Sequence, residues 1–489
     1  MASNPPPDDR ADPSRDTSDR DRGSADASAS NAPESAPITD GEHPVSADRP
    51  AQPQESSLSD NRPKNQTDEQ TDKKPDSGSN RGSFRLLADP SFGPYFFGKL
   101  VSMAGIWIYN IAAAIVVYEM TQSTVLVGAV SVLQFLPQII IGPLSGARAD
   151  RTANRRRQIL VGRAIVALGS GGVAAILWLT GLDGYEGAIL IVLSAGVVGT
   201  GFAVGGPAMQ SILPALVQPR ELPTAIALDT FPITIARTAG PALGALIVVN
   251  LGGNWAFALG ALTSLLYLVV VQLIRIRPVP RKQPQDGSVR GAVRYLKVDR
   301  GLPLLLFGVA AVGVAADPVI TLTPAIADDL GGDAVLVGSL ASAFGAGSAA
   351  MFIVLGQVRR RLGIKNVATI GLSLIALGTA GLIWRSSPAT AMAALAVTGA
   401  GTMAAITTLS TQIQQRVPEE LRGRVMALWA VAFLGVRPFA AGINSVLADF
   451  VTIDAALALV TVVVAAATFM TRSSRIPGPP TSLPATGTA

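Results

Sequence analysis

The sequence predicts an all-α membrane protein of twelve transmembrane helices, arranged as two pseudo-symmetric six-helix bundles. Three observations predict it. Apolar residues make up 49% of the 489, yet they are scarce in the first eighty and run in long stretches after Leu100. Charged residues are only 15% of the chain, against roughly 25% in soluble domains. Lysine and arginine crowd every second loop, and the two halves of the apolar region repeat one another.

Residues 1–84 are rich in Pro, Ser, Asp and Asn. Such a segment cannot bury enough apolar surface to offset its ordering entropy. It is expected to be a disordered cytoplasmic tail, and it lacks the apolar core of a signal peptide. From Phe92 onward, stretches long enough to cross a hydrocarbon layer of about 30 Å fall near 95–119, 124–147, 158–180, 187–213, 222–250, 255–275, 302–325, 334–357, 366–385, 388–413, 422–449 and 453–472. A longer polar segment at 276–300 is read as a central cytoplasmic linker. It separates an N-terminal bundle (92–275) from a C-terminal bundle (301–472). Residues 473–489 are read as a second disordered tail.

Arginine and lysine fix the orientation. Arg148, Arg151, Arg155 to Arg157, Arg220, the linker cations, Arg359 to Arg361, Lys365, Arg416, Arg422 and Arg424 fall on one side. The other side has only Arg385, with Asp183, Glu186, Asp328, Asp329 and Asp333. This alternation predicts an even number of spans, with both termini in the cytoplasm of a cell that holds the protein in its inner or plasma membrane. The net charge of +5 hides an acidic tail: residues 1–80 hold nine bases and seventeen acids, out of 39 and 34 in the whole chain. The remaining bases cluster at helix ends, so topology explains them and no nucleic-acid partner is expected.

Composition also excludes chemistry. There is no cysteine, and the only histidine is His43, in the tail. A thiolate, a cysteine metal site or a histidine acid-base is therefore not expected. No phosphate-binding loop of the GxxxxGK[ST] kind is present, so pumping energy has to come from an ion gradient or a partner. No cofactor, no metal and no enzymatic activity are expected.

The halves share motifs. PRELPTAIAL (219–228) enters span 5, and PEELRGRVMAL (418–428) enters span 11. Each is followed by an intramembrane arginine, Arg237 or Arg437, with a proline close behind (Pro241, Pro438). The loop after span 2, GARADRTANRRR (146–157), has a worn counterpart in GQVRRRLGIK (356–365). In the first loop Gly146 permits close helix approach. Asp150 sits at a helix end, and Arg151, Arg155, Arg156 and Arg157 supply cations for a charge lattice that can lock or release two helices.

On these residues the chain resembles the major facilitator superfamily, whose signature loop reads Gly-x-Leu-Ala-Asp-Arg-x-Gly-Arg-Arg. Arg148 stands where Leu is usual, and one extra residue precedes the arginine run. PAMQSILPALV (207–217), RELPTAIAL (220–228), GAVRYLKVDRGL (291–302) and PEELRGRVMAL resemble the branch of enterobactin exporters and transmembrane secretion effectors. That branch often has Arg where this chain has Met209. In span 5, Gly240, Pro241 and Gly244 resemble an element of drug–proton antiporters. There proline removes a backbone bond and small residues permit tight packing. The resemblance implies two bundles related by an axis along the membrane normal, enclosing a site open to each side in turn.

Ionisable residues within spans are costly and mark function. Four stand out: Asp229, Arg237, Asp317 and Arg437. Lys99 and Glu119 lie near the ends of span 1 and are expected to snorkel to water. Asp229 and Arg237 are eight residues apart, about 12 Å along a helix, and cannot pair without a third group. Asp317, in the helix that the resemblance places at the cavity, is the first candidate for proton coupling; Asp229 is the second. Arg237 and Arg437 are candidates for binding an anionic substrate or for neutralising the acids.

The expected function is proton-coupled efflux of a small amphipathic compound, drug-like or siderophore-like, by alternating access. The direction rests on the resemblance. Expected partners are the substrate, protons and the lipid bilayer, with the protein as a monomer. The alternatives are uptake, transport of a lipid-like substrate, or a non-transporting sensor or assembly protein of the same fold.

Overall fold

A backbone in hydrocarbon must satisfy its own hydrogen bonds, so the apolar stretches become helices. The computed structural model describes residues 83–151, 155–276, 295–296, 298–472 and 476–477. The tail expected over 1–84 lies almost wholly outside the described residues. So do most of the linker at 276–300 and of the second tail at 473–489. Among the described residues, twelve spans are long and apolar enough to cross a membrane. They are Phe92–Thr121, Thr124–Gly146, Arg155–Thr180, Gly184–Ser211, Pro219–Leu251 and Gly253–Leu273 (spans 1 to 6), then Gly301–Thr321, Ala334–Leu362, Ile364–Ile383, Pro388–Arg416, Leu421–Phe450 and Ile453–Met470 (spans 7 to 12). Most ends fall within a few residues of the sequence expectation.

Helix starts carry their own signals. Asp333 accepts the amides of Val335 and Leu336 at the start of span 8. Ser387 and Thr390 form a reciprocal cap at span 10, with Pro388 in the first turn, and Thr452 accepts Ala455 N–H at span 12. Such caps satisfy amides that have no partner within the helix.

Three spans are broken, each beside a proline. Span 5 consists of Leu222–Asp229 and Phe231–Leu251, with Pro232 in the first turn of the second piece. Span 7 breaks after Ala315 and resumes at Pro318. Span 11 breaks between Leu434 and Arg437, ahead of Pro438. Proline lacks an N–H and clashes with the preceding turn, so it is favoured at a helix start; Pro137, Pro143, Pro207 and Pro241 nevertheless lie inside continuous helices.

The repeat seen in the sequence is a repeat of packing. A Cβ on Gly162 of span 3 would lie 2.6 Å from Gly201 O of span 4. A Cβ on Gly371 of span 9 would lie 3.0 Å from Gly401 O of span 10. Small residues let each backbone pair close up. The bundles meet through two further pairs. In spans 5 and 8, a Cβ on Gly345 would lie 2.5 Å from Arg237 O, and one on Gly338 2.4 Å from Ala245 Cβ. In spans 2 and 11, a Cβ on Gly128 would lie 2.2 Å from Ser445 Oγ.

One end of the molecule carries the arginine-rich loops and the other carries acids; these are called here the basic and acidic ends. Arg385, the single base of the acidic-end loops, bonds Asp329 at 2.6 Å and Asp454 at 2.5 Å. Burial works against its charge, but Asp454 and Asp329 outweigh burial and hold its pKa above the ordinary arginine value.

Candidate transport site

The signature loop is held by a residue the motif does not name. Gln158 of span 3 donates to Ser145 O at 2.9 Å, Ser145 Oγ at 2.7 Å and Val204 O at 3.0 Å, tying spans 2, 3 and 4. Arg155 donates to Ser211 O at 3.3 Å, and Arg156 to Ile274 O. Both arginines therefore bind carbonyls at the ends of neighbouring spans, and Arg157 also has a partner. Gly146 was expected to permit a close approach. Instead, the nearest atom to a Cβ there is Pro207 Cβ, at 4.0 Å, which is ordinary contact. The side chains of Asp150 and Arg151 lie outside the described residues, and so does the lattice expected from them.

Gly240, Pro241 and Gly244 lie at a three-way contact. A Cβ on Gly240 would meet Trp107 Cβ of span 1 at 2.5 Å, and one on Gly244 would meet Ile108 Cα at 3.0 Å. On the other side, Pro241 O lies 2.9 Å from a Cβ built on Gly338 of span 8. The element is a bearing between span 1 and the opposite bundle. Nearby, Ala242 N–H donates to Ser342 Oγ at 3.0 Å across the interface.

Asp229 does not serve the central layer. Lys99 Nζ lies 2.6 Å from its Oδ1, and Tyr95 OH donates to the same oxygen at 3.1 Å. Lys99 was expected to snorkel, but it is buried. Its reach toward the basic end is stopped by a carboxylate 130 residues away. A further buried intramembrane charge, Arg163 of span 3, was not among the sequence candidates. Its guanidinium bonds Ser102 Oγ at 3.0 Å and Met209 Sδ at 3.1 Å, and it lies over the rings of Phe202 and Tyr267 at 5.4 and 5.0 Å. The place beside Met209 is thus supplied with an arginine from span 3.

Asp317 sits at the break in span 7 and is 2% exposed. Thr321 Oγ1 donates to its Oδ1 at 2.8 Å, and Asn444 Nδ2 of span 11 donates to Oδ2 at 3.1 Å. The charges of Asp317 and Arg437 act on each other, and Arg237 acts on Arg437. Arg437 stacks on Phe135 of span 2, 4.0 Å from its centroid; Arg237 lies over Trp107 of span 1, at 5.8 Å. Each arginine therefore crosses to, or faces along, the N-terminal bundle's inner helices. Beside them Gln134 donates to Asn110 at 2.8 Å, joining spans 1 and 2. Together spans 1, 2, 5, 7 and 11 place two guanidiniums, one carboxyl, three amides and two aromatic rings in a central layer.

At the acidic end the bundles are tied by hydrogen bonds. Asp449 of span 11 accepts Thr124 N–H at 2.8 Å and Val125 N–H at 2.9 Å, at the start of span 2. It also accepts Ser123 Oγ at 2.7 Å and the Thr124 hydroxyl. Tyr118 OH donates to Asp328 at 3.2 Å.

Two six-span halves meeting around a charged central layer define a transporter of the major facilitator type, not an enzyme. Residues 82–482 match the transmembrane secretion effector family, and the chain belongs to it. It is 26% identical over 355 residues to the enterobactin exporter EntS of Shigella boydii serotype 4, covering 70% of this chain and 82% of that protein. A mutant of the nucleoside transporter NupG has the same fold, with a TM-score of 0.66 at 12% identity over 78% of this chain and 98% of that one. The D-xylose–proton symporter superposes with a TM-score of 0.63 at 15% identity, over 82% and 98% of the two chains.

Proposed function

We propose that this protein exports a small amphipathic compound by alternating access, coupled to protons through Asp317. The observation that carries this reading is the setting of Asp317. It is a buried carboxyl at a break in span 7, bonded to Asn444 of span 11 and sharing the layer with Arg437. A proton arriving there changes the charge of a joint between two broken helices, and such joints are where a packed structure has alternative arrangements. Exchange of protons for substrate is the sense in which an inward proton gradient drives export. The direction is supported by the similarity to enterobactin exporters. The arginine-rich loops support a cytoplasmic basic end, and with it both termini.

The test uses everted membrane vesicles with an imposed pH gradient, followed with a pH-sensitive dye while candidate compounds are added. Collapse of the gradient by a compound in wild type but not in Asp317→Asn supports both export and the assignment of Asp317. An equal response in both keeps the exporter and removes Asp317 from its role. Movement of a compound only in the opposite sense would make the protein an uptake system.

A further inference from the structure

Each of the two central arginines has one buried donor without an acceptor. Arg237 Nε and Arg437 Nε are both buried, and neither has a hydrogen-bond partner. Leaving a buried donor unmade costs about 1–3 kcal/mol, more for a charged group, so native structures keep few of them. The single carboxyl of the layer does not remove the need. Asp317 is satisfied by Thr321 and Asn444, and Asp229 is taken by Lys99. Two cations thus face one anion, which leaves one positive charge uncompensated.

Their neighbours are informative too. The Phe135 ring centroid lies 4.0 Å from Arg437 Cζ, and the Trp107 centroid 5.8 Å from Arg237 Cζ. The N–H donors of a guanidinium lie in its planar edge. That edge matches the planar or forked oxygens of carboxylate, sulfonate and phosphate groups. The arginines come from opposite bundles and both start or follow a helix break, so an ion held by both bridges the two halves.

We propose that Arg237 and Arg437 form an anion clamp, and that the substrate is a small amphipathic monoanion whose charged head lies between the two guanidinium edges. This deepens the exporter reading and rests on it for the direction of movement only. With Asp317 ionised, one negative charge brings the central layer to neutrality. A cation there would meet two like charges, and a neutral compound, even one whose oxygens accept from the Nε donors, would leave the excess positive charge in place.

The experiment separates binding from movement. The probes are anilinonaphthalene sulfonate and its uncharged parent, N-phenylnaphthylamine, which share a skeleton and differ in the anionic group. Binding to the full chain in proteoliposomes is read by energy transfer from the protein's tryptophans. Wild type is expected to bind the sulfonate at least about tenfold more tightly than the parent, the scale of one charge-assisted bond. Arg237→Gln and Arg437→Gln are each expected to remove that preference, so that the sulfonate and its parent bind about equally. Equal binding of the two probes to wild type overturns the clamp, and that comparison needs no variant. A preference that survives both substitutions also overturns it. Efflux of the same probes is measured in parallel. Preferential binding without efflux upholds the clamp and counts against export, whereas efflux of both probes together with equal binding upholds export and removes the clamp.

Discussion

Asp449 gives the sharpest handle on how the molecule closes. Its carboxylate, from the C-terminal bundle, caps the first turn of span 2, in the N-terminal bundle, by accepting the amides of Thr124 and Val125 and the hydroxyls of Ser123 and Thr124. A helix start exposes unpaired amides and a partial positive charge, and a carboxylate there is favourable on both counts. Asp449 is solvent-exposed, so water competes for these bonds. The loss in Asp449→Ala is therefore taken as that of a helix cap, about 1–2 kcal/mol. All of it falls on the state in which the acidic end is closed, which lowers the closed-to-open ratio roughly 5–30-fold. Ala327, 1% exposed at this end, is a suitable reporter. The chain has no native cysteine, so Ala327→Cys is the only thiol. With Asp449→Ala it is expected to react roughly 5–30-fold faster with a reagent applied from the acidic side. Asp449→Asn, which still accepts hydrogen bonds but carries no charge, should fall between. Equal labelling with and without Asp449→Ala, in protein of unchanged helicity, would refute the latch.

Lys99→Met and Asp229→Asn should each destabilise the extracted protein by about 3–5 kcal/mol, because each strands a buried charge or its partner. The double substitution Lys99→Met with Asp229→Leu should recover most of that loss in a thermal unfolding cycle. Gly345→Val should block transport and lower stability by about 1–3 kcal/mol, since the new side chain meets the backbone at Arg237 and Thr238. Gly142→Val is the control, with nothing within 4 Å of its Cβ. Arg163→Met should impair transport, and adding Met209→Arg should restore it, because both side chains reach the same place; a double variant no better than the single one would discard that equivalence.

The spans, their alternation and the internal repeat were legible in the sequence, because hydrocarbon leaves a chain few choices. The break at Asp317–Pro318 was not legible: the span reads as continuous over 302–325, and proline alone does not decide, because Pro137, Pro143, Pro207 and Pro241 lie inside unbroken helices. What was not legible is distance. Lys99 reads as a span-end lysine free to snorkel, and nothing in its neighbourhood names Asp229, on another helix. Arg163 was in reach of the rule that flags intramembrane charge. It stands eight residues beyond Arg155, more than two helical turns into the span, but the adjacent arginine run draws it into the loop. Gln158 carries no charge to flag it, yet it joins three helices. The unmade donors of Arg237 and Arg437 are visible only once the acids have been assigned elsewhere.

The charge of the substrate also decides how it and the proton act on each other. Arg437 feels both Asp317 and Arg237, while Asp229 is tied to Lys99. Ionised Asp317 takes up part of the attraction of Arg437; protonated, it leaves that attraction to an anion in the clamp. Anion and proton therefore favour each other's binding, and by reciprocity each does so equally, with coupling typically about 1–3 kcal/mol, or roughly 5–150-fold. Binding of anilinonaphthalene sulfonate to wild type should tighten as the medium is acidified through the titration of Asp317, and in Asp317→Asn it should be tight and flat. Exchange by simple competition for one site is then closed to an anionic substrate. Protons drive its export only if the form carrying both ligands is the one that fails to cross. Binding that tightens in acid together with flux that runs in exchange is the pair of results this requires. Binding that weakens in acid would mean that substrate and proton contend for Asp317 itself, and that the substrate enters as a cation.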